Sequence, residues 1–322
     1  MPKSPDKTAK TVLFYLVLTM CLILPVLLTG CKSGSGDYFI NDENTPLSDK
    51  FVIPQADSPG ILSASCSRVT IDYSNSNEGY VTVRFHDDSV NRIKVVISGP
   101  DNSKYIYDLH GNEAETFPLS QGSGYYFVGV YENMYDDEYT EILVVSFDVM
   151  LDHEISPFIR SNQYVKYYAT DLVADLTLEI TNGTDCFFEI IETILKYIET
   201  NIIYDIELAY DAKPGFLPDV NAVLESGKGF CFDIAALFTA MLRIKGIPAQ
   251  LAVGNYTYPD KDTIYHAWVL IYSDLPGSIG GMINVEQNKW TLIDPTFISS
   301  MGFYPGVLLS SDISFYEAVF IY

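Results

Sequence analysis

The chain has 322 residues, 48% of them hydrophobic and 14% aromatic, which is enough apolar material for sizeable packed cores. The composition excludes general disorder, and the length predicts about two domains. The formal net charge of -23 excludes the basic face that a phosphate backbone needs, so we expect no nucleic-acid partner.

Residues 1–30 have the pattern of an export signal. Three lysines precede an apolar stretch over about residues 12–28, and small residues follow it. The sequence Leu-Thr-Gly-Cys at residues 28–31 resembles the lipobox of bacterial lipoproteins, which implies that Cys31 is lipidated and becomes the mature N-terminus. An uncleaved membrane anchor is the alternative, because the apolar run approaches the length of a spanning helix. In either case we expect an extracytoplasmic protein, and the lipobox implies a lipid anchor in the bacterial cell membrane.

The next two segments predict a tether and a small all-β domain. Residues 31–60 are polar and rich in Gly, Ser, Pro and Asp, which is typical of a flexible linker. Between residues 61 and 155, short runs with alternating apolar residues are separated by turn signals. The runs are RVTIDYS, GYVTVRF, RIKVVIS, KYIYDL, GYYFVGVY and TEILVVSFDV. This spacing favours an antiparallel β-sandwich.

Residues 156–322 predict a second domain of the α+β class. Helical spacing is present in YVKYYATDLVADLTLEI and is stronger in CFFEIIETILKYIETNI. A short helix is expected around residues 220–224. Strand-like runs follow at PAQLAVGNY, YHAWVLIY and KWTLID. Helices followed by strands favour helices packed on an antiparallel sheet.

Cys231 begins an apolar helical pattern that Gly246 and Pro248 should end. Backbone N–H groups converge at a helix start, and the helix dipole there favours the anionic form of a thiol. Free cysteines are also often small buried hydrophobic residues. This segment alone therefore leaves a reactive thiol and a packed thiol as equal alternatives.

A thiolate nucleophile needs a base, usually histidine, and a group that orients the base. His266 lies in the strand-like run TIYHAWVLIY, and Asp294 ends the run WTLID before Pro295. Taken singly, His266 is typical of a core residue and Asp294 of a turn former.

Four motifs in order make the pattern more specific: GFCFD at 229–233, LRIKGIPA at 242–249, HAW at 266–268, and WTLIDPT at 290–296. Together they resemble the core of the transglutaminase-like superfamily of cysteine enzymes. The resemblance implies a papain-like fold, with Cys231 as nucleophile, His266 as general base and then acid, and Asp294 as the residue that orients the imidazole. It implies acyl transfer or hydrolysis at peptide or glutamine side-chain amides of a protein or peptide, through a thioester.

The oxyanion of such a reaction needs hydrogen-bond donors. The backbone N–H of Cys231 is the first candidate. Larger transglutaminases also use an upstream tryptophan, but both tryptophans of this chain, Trp268 and Trp290, lie downstream. Tyr204 is a conceivable substitute. No acidic loop has the spacing of calcium ligands, so we expect no metal and no cofactor.

The remaining motif residues have structural interpretations. Asp233 lies in the first helical turn, where an acid can bind free N–H groups. We expect Arg243 to pair with an acid or a carbonyl, and Trp268 and Trp290 to pack around the site. A non-catalytic cell-surface binding or assembly module that retains the fold is the alternative function.

Three cysteines remain after the signal and Cys31, so at least one thiol should stay free. A disulfide between Cys66 and Cys186 is conceivable, but the sequence does not decide it.

Overall fold

The computed structural model describes residues 52–258 and 262–322. The predicted signal at 1–30, the predicted lipidation site Cys31 and most of the predicted linker lie outside them. The described residues belong to one compact unit, and the domain boundary after residue 155 stays a prediction. None of the helices that these residues form is both long and apolar enough to cross a membrane.

The N-terminal part is a sandwich of two four-stranded antiparallel sheets. Its strands are β1 (Ser63–Ser65), β2 (Val69–Asp72), β3 (Tyr80–Phe85), β4 (Ile93–Ser98), β5 (Lys104–Leu109), β6 (Glu115–Pro118), β7 (Gly124–Tyr135) and β8 (Glu138–Val149). One sheet has the order β1-β2-β3-β6 and the other β5-β4-β7-β8. All six runs predicted from alternation form strands, which confirms the sandwich. The strands β1 and β6 are too short to show a period.

The second part contains seven helices within the described ranges, together with eight strands. The helices are α1 (Leu172–Ile180), α2 (Phe187–Asn201), α3 (Ile206–Asp211), α4 (Val220–Ser226), α5 (Cys231–Ile244), α6 (Pro295–Met301) and α7 (Phe303–Ser310). The strands are β9 (Ile203–Tyr204), β10 (Lys228–Gly229), β11 (Ala249–Thr257), β12 (Thr263–Ser273), β13 (Gly277–Ile279), β14 (Ile283–Val285), β15 (Lys289–Ile293) and β16 (Tyr316–Ile321).

A four-stranded antiparallel sheet with the order β15-β12-β11-β16 forms the centre of this part. The helix α5 packs on β11 and β12, and all its residues except one are buried. A helix that is apolar on all sides belongs inside a core, because no side of it is suited to water. This arrangement confirms the predicted α+β class.

Arg243, near the end of α5, joins three separate segments of the chain. Its fully buried guanidinium donates to the backbone oxygens of Ala249 (3.0 and 2.7 Å), Arg160 (2.7 Å) and Tyr322 (2.9 Å). The prediction that Arg243 pairs with an acid or a carbonyl is therefore confirmed, with carbonyls as the partners. Burial lowers the pKa of this guanidinium to about 10.

Aromatic contacts connect the sandwich with the edge strand β16. The hydroxyl of Tyr105 accepts a hydrogen bond from the backbone N–H of Ile321 (3.2 Å). The Tyr105 ring lies 5.3 Å from that of Phe320 and 5.8 Å from that of Tyr322, both edge-on. These contacts hold an edge strand that reaches the candidate site described below.

Cys66 carries a free, exposed thiol. The conceivable disulfide between Cys66 and Cys186 is therefore not formed.

Candidate active site

Cys231 is the first residue of α5, as the sequence predicts. The backbone N–H groups of the first helical turn have no partners within the helix and point towards its start. The side chain of Asp233 accepts a hydrogen bond from the backbone N–H of Phe230 (3.2 Å). Asp233 is 2% exposed and has the structural role predicted for it. The remaining first-turn donors stay next to the sulfur.

Gly229 lets the chain approach this helix start closely. A Cβ atom at Gly229 would lie 2.8 Å from Cβ of Asp233, which is closer than such atoms come in proteins. Gly229 pairs in parallel register with Tyr204, and the backbone N–H of Asp205 donates to the Gly229 oxygen (2.9 Å). The segment that carries Tyr204 is thereby fixed next to the residues that precede Cys231.

Tyr204, the suggested second oxyanion donor, lies within electrostatic reach of Cys231. Burial, then Cys231, and then the tyrosines Tyr258 and Tyr210 raise the pKa of Tyr204 to about 12. Its hydroxyl is therefore protonated at neutral pH. It makes no hydrogen bond with the rest of the described chain.

The sheet brings His266 and Asp294 together. His266 lies in β12, and Asp294 follows the last residue of β15, which pairs with β12. The Nε2 atom of His266 is 2.7 Å from Oδ2 of Asp294. The thiol of Cys231 lies close enough to the His266 ring to raise the pKa of the imidazole. The structure thus brings the three residues named by the motifs together at one site.

The helix start of α6 fixes the carboxylate. Oδ1 of Asp294 accepts hydrogen bonds from the backbone N–H groups of Thr296 (3.0 Å) and Phe297 (3.1 Å). Asp294 is therefore the N-cap of α6. Exposure falls from Cys231 (9%) through His266 (3%) to Asp294 (0%). A substrate therefore reaches the sulfur first, while the carboxylate of Asp294 is shielded from solvent.

The electrostatics of the site favour a charged imidazole. Burial lowers the pKa of His266, but the charge and hydrogen bond of Asp294, and then the hydrogen bond and charge of Cys231, outweigh it and raise the pKa to about 10. An imidazolium cation next to sulfur stabilises the thiolate. The pair can therefore supply both a nucleophile and a proton.

Aromatic rings enclose the imidazole. The His266 ring stacks on Phe297 (5.3 Å between centroids) and is nearly parallel to Trp268 (6.3 Å). Trp268 therefore packs at the site, as predicted. The prediction for Trp290 is wrong, since that ring packs on Phe158 and Tyr272. Trp290 pairs with Tyr272 of β12. Tyr272 lies six residues along this strand from His266, which is about 20 Å at the spacing of a β-strand.

Tyr316 is a site residue that the sequence analysis missed. Its hydroxyl donates to Oδ2 of Asp294 (2.9 Å), the same atom that binds His266. Burial and then Asp294 raise the pKa of Tyr316 well above its ordinary range, so the phenol stays a donor. The signal was the strand-like run YEAVFIY. It was overlooked because β16 is an edge strand with few fully buried positions.

A β-bulge aims Tyr316 at the site. The register between β11 and β16 shifts at Val253 and Gly254, where Val319 has no partner. Bulges rotate the side chains that follow them. A Cβ atom at Gly254 would lie 2.1 Å from the Glu317 oxygen, so the bulge needs glycine there. Gly254 stands directly opposite His266.

Further acids lie near the start of α5. Burial raises the pKa of Asp233 to about 6; the bond from Phe230 lowers it, while the charges of Asp219 and Asp205 add to the increase. Asp219 and Asp205 therefore lie within electrostatic reach of Asp233.

Two solved structures of provisionally assigned proteases are similar to parts of this chain. One, a provisionally assigned cysteine protease from Cytophaga hutchinsonii, is 17% identical, with a TM-score of 0.35 over 68% of this chain and 72% of that chain. The other, from Parabacteroides distasonis ATCC 8503, is 13% identical, with a TM-score of 0.28 over 71% of this chain and 67% of that chain. No curated protein matches this sequence.

The family comparison covers the candidate site. The model of the transglutaminase-like superfamily matches residues 174–295, which include Cys231, His266 and Asp294. This chain therefore contains a transglutaminase-like region over residues 174–295.

Proposed function

We propose that this protein is a cysteine enzyme that transfers or hydrolyses the acyl group of peptide or glutamine side-chain amides. The observation that carries the proposal is the buried hydrogen bond between His266 and Asp294, together with the thiol of Cys231 next to the same imidazole. A nucleophile, a base and a group that orients the base are the parts that thiol acyl transfer needs.

In the first half-reaction, Sγ of Cys231 attacks the amide carbonyl carbon and forms a C–S bond. The C–N bond breaks, and the His266 imidazolium gives its proton to the departing amine or ammonia. The product is a thioester. Asp294 stays ionised and holds the imidazole in position.

In the second half-reaction, water or a primary amine attacks the thioester, and neutral His266 takes the proton of the attacking group. The C–S bond breaks and the thiolate returns. Water gives hydrolysis, and an amine gives transfer. The backbone N–H of Cys231 supports the oxyanion in both steps, and the Tyr204 hydroxyl is our candidate for the second donor.

Mass spectrometry of glutamine-containing peptides tests the proposal. The peptides are incubated with and without a primary amine, using the wild type and Cys231→Ala. Amine incorporation identifies transfer, conversion of glutamine to glutamate identifies deamidation, and backbone cleavage identifies a peptidase. Equal results for the wild type and the variant would contradict an enzyme with these substrates and support the non-catalytic binding module.

We also propose that the protein is held outside the cytoplasm by a lipid on Cys31. The motif at residues 28–31 supports this, and a protein or peptide substrate at the cell surface fits it. Metabolic labelling with an alkyne fatty acid should mark the wild type and leave Cys31→Ser unmarked. Equal labelling of both would contradict the anchor.

A further inference from the structure

Oδ2 of Asp294 has two donors. His266 Nε2 lies 2.7 Å from this oxygen, and the Tyr316 hydroxyl donates to it over 2.9 Å. The other oxygen, Oδ1, is occupied by the backbone N–H groups of Thr296 and Phe297. The helix cap at Oδ1 already orients the carboxylate. Tyr316 therefore acts mainly on the charge of the oxygen that faces the imidazole.

We propose that Tyr316 is a positioning residue of this site, which holds Oδ2 of Asp294 and limits the negative charge that this oxygen presents to His266. The inference rests on the proposed function, because it assigns Tyr316 a part in the work of the Cys231–His266 pair.

The physical reason is competition at one oxygen atom. A donor to an ionised acceptor makes a strong hydrogen bond and withdraws charge from it. When the Tyr316 hydroxyl donates to Oδ2, this oxygen attracts the imidazolium of His266 less strongly. Without Tyr316, the carboxylate would hold the protonated ring more strongly. His266 would then release its proton less readily to a leaving amine, and would less often be neutral for the second half-reaction.

The other groups around His266 do not make the hydrogen bond that Tyr316 makes with Asp294. Cys231 faces the ring from α5 and Asp294 from the end of β15, while Tyr256 and Tyr316 face it from β11 and β16. Tyr258 lies behind Tyr256, at 4.8 Å between ring centroids. Among the tyrosines of the described chain, Tyr316 is the one bonded to Asp294.

Tyr256 offers a matched control. It belongs to the same aromatic cluster, 5.9 Å from the His266 ring and 4.8 Å from the Tyr316 ring. Its hydroxyl is buried and has no hydrogen-bond partner among the described residues. Tyr256→Phe and Tyr316→Phe each remove one hydroxyl group from the same aromatic cluster. Only Tyr316→Phe removes a hydrogen bond from Asp294.

The experiment is an NMR titration of the imidazole in protein labelled with ¹⁵N-histidine. The chain has four histidines, so the ring signals can be assigned with His266→Gln. In Tyr316→Phe, we expect the pKa of His266 to rise by about 1, the scale of one charge-assisted hydrogen bond. Tyr256→Phe should leave it unchanged. An unchanged or lower value in Tyr316→Phe would overturn the inference.

A second variant covers the case in which Tyr316→Phe folds poorly. Site-specific replacement of Tyr316 by 3-fluorotyrosine keeps the ring and makes the phenol a stronger donor. The pKa of His266 should then fall, and an unchanged or higher value again overturns the inference. The titration needs no substrate. A failure here leaves the peptide assay to judge the proposed function separately.

Discussion

His266 Nε2 and Asp294 Oδ2 lie 2.7 Å apart in a site where both side chains are almost completely buried. Two strands that neighbour each other in the sheet, but lie apart in sequence, present these atoms to each other. A buried imidazolium is stable only next to such a partner, because burial disfavours an unpaired charge.

Removing the charge of Asp294 should disable the site without unfolding it. Asp294→Asn keeps an oxygen that can cap α6 but loses the carboxylate that stabilises the imidazolium. We expect kcat to fall on the order of 10³-fold and the pKa of His266 to drop. Peptide turnover and the histidine titration measure these effects. Turnover close to that of the wild type would contradict the assigned role.

The thiol of Cys231 should be more reactive than its exposure suggests. Cys231 is 9% exposed, whereas Cys66 is a free and exposed thiol in the same chain. We expect iodoacetamide near pH 6 to alkylate Cys231 faster, because the imidazolium stabilises its thiolate. Peptide mapping measures both rates. His266→Ala should remove the difference, and faster labelling of Cys66 in the wild type would count against a nucleophile.

Asp233 should make the wild type less stable as the pH rises. Its pKa is about 6 in the folded protein against an ordinary value of 3.8, so the folded state binds the extra proton between these values. Stability therefore falls as the pH rises through this window, by about 3 kcal/mol relative to Asp233→Asn. Urea unfolding of both proteins at several pH values measures the difference. Parallel stability curves would contradict the shift.

Gly254 should be intolerant of a side chain. A Cβ atom there would overlap the Glu317 oxygen, so Gly254→Ala must push β16 away and move Tyr316 from Asp294. We expect a loss of about 3 kcal/mol of stability. Gly111→Ala is the control. Gly111 has φ 73° with open space around it, so only the backbone cost of about 1 kcal/mol applies. Similar losses in chemical unfolding would argue against the overlap.

Local patterns predicted most of the fold. Alternation identified six strands of the sandwich, and helical spacing together with Gly246 and Pro248 set the limits of the helix that begins at Cys231. These features depend on neighbours in the chain, so a sequence contains them directly. The strands β1 and β16 were harder to identify, because none of their positions is fully buried.

The amino-acid sequence by itself determined that Cys231 starts a helix and that His266 and Asp294 belong to two successive strand-like runs. It also supplied the motif order that resembles the transglutaminase-like superfamily. Only the tertiary structure decided that Tyr316 shares Oδ2 of Asp294 with His266 and that Trp290 lies far from the site. Both depend on strand register and on a bulge, which arise from contacts between distant segments.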